Sequence, residues 1–114
     1  GSLFFVNAQH VSDQIRALIV QQQPRVVALD LSRVPDVEYS ALQALMEGEK
    51  RWTDAGIVVW LVGMNPGVLE VVRHAGLDQR LGRERMLFNA RAAIERYQAT
   101  GPIVSHGDGT RYPD

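Results

Sequence analysis

The stretch RVVALDLSRVPDVEYSALQAL, residues 25–45, decides how the chain is read. RVVALDL, residues 25–31, is nearly continuous in apolar residues and β-branched at its start, as expected of a strand covered on both faces. Beyond the loop the period changes. Ala41, Leu42, Leu45, Met46 and Trp52 fall on one side of a helix, with Glu38, Glu47, Glu49, Lys50 and Arg51 mostly on the other. Gly56 stands where a left-handed residue would end that helix.

Downstream, IVVWLVG (57–63) is the next buried strand. In NPGVLEVVRHAG (65–76), Asn65 caps a helix, Pro66 takes its first turn and Gly76 ends it. LDQRLGRE (77–84) reads as irregular and RMLF (85–88) as a short strand. Asn89 caps a last helix, ARAAIERYQ, with Ala93, Ile94 and Tyr97 available for packing. Upstream, SLFFV (2–6) is a strand candidate, with Asn7 placed to cap a helix over 9–22. In that helix Val11, Ile15, Leu18 and Ile19 form one apolar stripe, and Pro24 closes it. TGPIVSHGDGTRYPD, at the end, has the composition of a mobile tail. The boundaries expected are thus a domain over 1–98 and a tail over 99–114.

Four alternations of strand and helix argue for the α/β class: a single domain with a mostly parallel or mixed central sheet of about four strands, flanked by four helices. Ligands of such sheets sit at the carboxyl ends of the strands. Those ends are Asn7, the segment 32–40, the segment 63–65 and Asn89.

Composition narrows the function. The apolar share of 46% and charged share of 22% suit one ordinary globular core. A net charge of -1 gives no reason to expect a nucleic-acid partner. Without cysteine, thiolate metal sites, cysteine nucleophiles and disulfides are excluded. The longest apolar run, IVVWLVGM, falls well short of the roughly 20 residues that span a bilayer, so direct membrane insertion is not expected. The opening residues lack the form of a signal peptide. A chain opening on Gly1 and Ser2 instead of methionine is expected of a piece of a longer protein or of a tag remnant.

The catalytic inventory is thin. His10, His74 and His106 share no metal-ligand spacing, and His74 suits the last turn of its helix, where the dipole favours positive charge. There is no P-loop, no glycine-rich dinucleotide turn after the first strand and no G-x-S-x-G elbow. Nor is there the acidic pair of a response-regulator receiver. An enzyme is not expected, and neither a metal nor a tightly held cofactor. Asp30, near its strand end, reads as bonding local backbone or as part of a functional loop. Six arginines against three acids between Arg73 and Arg96 offer either a mixed solvated surface or a basic patch. Such a patch, with Arg80, Arg83 and Arg85, would face lipid head groups, phosphate or an acidic domain.

Ser40 falls in the first turn of the second helix, where free N–H groups and the positive end of the dipole favour a phosphate. The plainer reading has Asp36 or Glu38 capping that turn, with Ser40 inside it.

VVALDLSRVPDVEYSALQALMEGEKRWTDAGIVVWLVGMNPGVLEVVRHAGL resembles the STAS domain, the family of anti-sigma-factor antagonists and of the cytoplasmic domains of SulP-type sulfate and anion transporters. The resemblance covers about residues 2–98, including RLGRERMLFNARAAIERY. GSLFFVNAQHV, EYSAL, MNPGVLEVVR and LGRERMLFN look most like the transporter branch. In the antagonist branch a partner kinase phosphorylates the second hydroxyl residue of an Asp-Ser-Ser/Thr-Gly loop. That pattern falls here on Glu38, Tyr39, Ser40 and Ala41. Ser40 keeps the hydroxyl and Glu38 the charge, while Tyr39 and Ala41 depart and argue against a kinase switch.

The resemblance implies a non-catalytic regulatory domain of a transporter at the cytoplasmic face of the plasma (inner) membrane. Its partners would be its own transmembrane domain, its mate in a full-length homodimer and cytoplasmic regulatory proteins. It also implies weak guanine nucleotide binding, for which Ser32, Gly63 and Asn65 are the contacts expected. The second reading is a stand-alone anti-sigma-factor antagonist in a partner-switching pathway, phosphorylated at Ser40. A third, an unrelated α/β domain that binds a small molecule, requires a pocket.

Overall fold

The computed structural model describes residues 3–8, 16–17 and 20–101. Four strands form one sheet: β1 (Leu3–Asn7), β2 (Val26–Asp30), β3 (Val58–Val62) and β4 (Met86–Leu87). All neighbours are parallel and the spatial order is β1-β2-β3-β4, so each strand lies beside its predecessor in the chain. The helices are α1 (Tyr39–Asp54), α2 (Pro66–His74), α3 (Leu77–Leu81) and α4 (Ala90–Thr100). Residues 16–17 and 20–22 are also helical. Val11, Ile15, Leu18, Ile19 and the helix start that Asn7 would cap lie outside the described residues, as do His10, His106 and residues 102–114 of the tail. α4 runs on to Thr100, past the boundary expected at residue 98.

Burial on both faces explains why β2 and β3 are apolar at nearly every position. Val27, Leu29, Val59 and Leu61 pack against Leu42 of α1, Val68 and Val72 of α2, and Leu77 and Leu81 of α3. Val26, Ala28, Val58, Trp60 and Val62 point the other way, toward Ala93 and Tyr97 of α4. Tyr97 meets the Trp60 ring edge-on at 6.2 Å. The buried Trp60 indole N–H has no acceptor among the described residues.

The helix ends follow local chemistry. α1 closes in a Schellman motif, with Ile57 N–H donating to the Trp52 carbonyl, Gly56 N–H to the Thr53 carbonyl, and Gly56 at φ +86°. At α2, Asn65 Oδ1 accepts from Val68 N–H at 2.8 Å and Pro66 occupies the first turn, where its missing N–H costs nothing. Asn89 caps α4 in the same way, accepting from Ala92 N–H.

Four expectations are corrected. The segment 77–84 is not irregular: Leu77 and Leu81, one turn apart and fully buried, anchor α3, and a 3-10 turn (Arg83–Arg85) follows. Ala41 and Ile94 are exposed, because the buried stripe of each helix is narrower than its apolar residues suggest. Neither Asp36 nor Glu38 caps α1. Glu38 occupies the cap position with extended backbone, but its side chain makes no capping bond. Glu49 is not on the solvent side of α1; it is buried, only 4% exposed.

Candidate functional site

The loops after β2 and β3 meet at the carboxyl edge of the sheet. Leu31 N–H donates to the Val62 carbonyl at 2.8 Å, and Val34 N–H to the Leu31 carbonyl at 3.0 Å, which closes a turn with Ser32 and Arg33 at its tip. Asp30 Oδ1 accepts from Ser32 N–H at 2.9 Å, the local backbone bond expected of it. Asn65 Nδ2 reaches across to donate to the carbonyls of Val34 and Pro35, at 3.2 and 3.1 Å. Gly63 adopts φ +77°, and a Cβ there would stand 3.1 Å from Ser32 Cβ. Ser32, Gly63 and Asn65 are therefore brought together, and their closeness and bonds pin one loop to the other.

The pinned β2 loop presents the next segment outward. Asp36, Glu38, Tyr39, Ser40 and Ala41 are all exposed, and Tyr39 keeps 56% of its surface accessible beside the serine. Ser40 is the second residue of α1, whose first-turn N–H groups receive no side-chain cap from Glu38. Chemically this is a surface that could accept a phosphate or a partner. Among the described residues, no group of three or more His, Asp or Glu is placed to hold a metal. His74, exposed in the last turn of α2, has Nδ1 3.1 Å from the Glu70 carbonyl.

The three arginines expected to form a basic patch do not share a surface. Arg85 is 2% exposed; its Nε donates to the Leu81 carbonyl at 2.8 Å and its Nη2 to the Arg80 carbonyl at 3.3 Å. Its Nη1 lies 3.6 Å from Glu49 Oε2, while Arg80 Nε meets Glu49 Oε1 at 3.0 Å. Thr53 Oγ1 donates to the same carboxylate at 2.7 Å. Burial pushes the Arg85 guanidinium below its ordinary pKa, and the Glu49 charge opposes that shift. Only Arg83 of the three points freely to solvent. This buried cluster ties α1 to the α3 turn. Its charge pattern read as surface, and only the leucines flanking Arg80 hinted that the segment packs inward.

Sequence reasoning also missed Arg33, which sits at the loop tip. It missed the nearly bare Phe88 as well, 87% exposed directly after β4.

Residues 1–94 match the family model of the STAS domain. The chain belongs to the STAS family. A solved chain described as a sulfate transporter family protein from Wolinella succinogenes shares the fold, with a TM-score of 0.71 at 20% identity over 86% of this chain and 84% of that one. No curated protein gives a significant match. STAS domains are in general non-catalytic regulatory modules. No helix among the described residues is long and apolar enough to cross a membrane.

Proposed function

We propose that this STAS domain is the regulatory module of a SulP-type sulfate or anion transporter, performing no chemistry itself. It would sit at the cytoplasmic face of the membrane. There it would act through contacts with its own transmembrane domain, its mate in a full-length dimer and cytoplasmic regulatory proteins. The observation that carries this reading is the helix mouth: Tyr39 stands exposed beside Ser40, and Ala41 replaces the glycine of the kinase-switched loop. The surface is kept while close backbone access for a kinase is reduced. The resemblance of LFFVNA to the transporter branch supports the same assignment. Weak guanine nucleotide binding belongs to the proposal too, and equilibrium dialysis with labelled GDP tests it.

One observation favours the stand-alone antagonist. The Ser40 side chain is exposed at the positive end of α1, where an added phosphate is electrostatically welcome. Blotting membrane and soluble fractions for the endogenous protein separates the two readings. A membrane-bound band several times larger than this chain supports the transporter module. A soluble band near the mass of the chain overturns it and makes Ser40→Asp, with loss of partner binding, the next test.

A further inference from the structure

At the carboxyl ends of β1 and β2 the surface forms a cavity of 260 Å³ lined by Phe5, Val6, Asn7, Asp30 and Arg33. Asn7 and Asp30 are register partners, and Phe5 lies two residues back on the same side of the sheet as Asn7. The Phe5 ring is 40% exposed, an apolar wall at the sheet edge. Arg33 is exposed and makes no hydrogen bond or ion pair among the described residues. Asp30 commits Oδ1 to Ser32 N–H, and no ion pair joins it to Arg33. One cavity thus holds an acid and a base that do not neutralise each other, beside apolar surface.

The wall bearing these charges is held before any ligand arrives. The Leu31–Val34 turn, the Asp30–Ser32 bond and the two Asn65 bonds fix the backbone from which Asp30 and Arg33 project. The volume falls just below the roughly 300–1,000 Å³ of clefts that take drug-sized molecules, which limits the occupant to a small metabolite. Charge narrows it further. A simple anion would be drawn to Arg33 but repelled by Asp30, and a simple cation the reverse.

We propose that this cavity binds a small zwitterion of the α-amino-acid class with an apolar side chain. Its carboxylate meets Arg33, its ammonium group meets Asp30, and its side chain lies on Phe5, with the backbone of buried Val6 beneath. The site is separate from Ser40 and does not depend on the transporter reading. It would add ligand sensing to whatever partner contact the domain makes.

The test is a ¹H–¹⁵N chemical-shift titration of the domain with leucine. Isocaproate, which lacks the amine, and isopentylamine, which lacks the carboxylate, are titrated in parallel. Leucine should give saturable shifts in Phe5–Asn7 and Asp30–Val34, and each half-molecule should bind about tenfold more weakly or not at all. Arg33→Ala and Asp30→Asn should each weaken leucine about tenfold; asparagine keeps the oxygen that receives Ser32 N–H, so the turn persists. Any of three results overturns the proposal: no saturable shift in these segments, equal binding of leucine and isocaproate, or indifference to both substitutions. The comparison of the three small molecules on the unaltered domain decides the matter even if a variant fails to fold.

Discussion

Replacing Glu49 by alanine removes the carboxylate that pairs with Arg85 inside the fold. The arginine keeps its bonds to the Leu81 and Arg80 carbonyls but is left as a buried charge without an ion-pair partner, with only the weaker pull of Glu84 remaining. Breaking a buried pair from one side costs about 3–5 kcal/mol. Two features favour the lower end. The 3.6 Å contact to Arg85 is longer than a hydrogen bond, and the partly exposed Arg80 can turn to water once its partner is gone. The expected loss is about 3 kcal/mol, a large part of the about 5–15 kcal/mol that holds a typical domain folded. It should lower Tm by about 12 °C. Urea unfolding followed by the fluorescence of Trp52 and Trp60 reads it, with the m-value unchanged. Glu47→Ala, on the exposed side of the same helix, controls for helix propensity and should stay within about 0.5 kcal/mol of the starting protein. Glu49→Leu combined with Arg85→Met should recover most of the loss, because matched apolar groups need no counter-charge. A cost below about 1 kcal/mol for Glu49→Ala would refute the assignment of Glu49 as the charge that makes Arg85 tolerable.

Asn65→Ala should cost about 3 kcal/mol, the sum of a lost cap and two lost loop bonds, whereas Asn65→Asp keeps the cap acceptor and should cost about half; chemical denaturation separates them. Gly63→Ala should cost at least about 2 kcal/mol, since it places a side chain at positive φ and against Ser32, and thermal unfolding reads it. Gln23 adopts φ 47° immediately before the buried Pro24, so Gln23→Gly should stabilise by about 0.5–1 kcal/mol, seen as a rise in Tm. Ser40→Ala should change stability by no more than about 0.5 kcal/mol by the same measurement, because its exposed side chain caps nothing.

What the sequence made legible was local. Asn65, Pro66 and Gly76 mark both ends of α2 because a cap is a bond between residues three apart, and Gly56 marks the end of α1 for the same reason. The alternation of buried strands with helices was enough for the α/β class. The burial of Glu49 and Arg85 was not legible: each, taken alone, looks like an ordinary surface charge, and only the packing of α3 under α1 makes them a pair. The meeting of Ser32, Gly63 and Asn65 could be expected from the parallel sheet, which aligns the ends of β2 and β3. The use made of Asn65 could not, since both its carbonyl partners lie in the other loop. The cavity beside Phe5 depends on which turn residue stands over β1, a three-dimensional accident of register that no single segment encodes.

The order of the strands bears on how such a domain is made. Each strand docks on the one synthesised just before it, so the sheet can lengthen in step with translation and need not wait for a distant segment to return. The face bearing Trp60 is the exception: it gains Ala93 and Tyr97 only when α4, the last helix described, has emerged. A nascent chain stalled before Ala90 would carry a nearly finished sheet with one sticky side, the species a chaperone would be expected to hold.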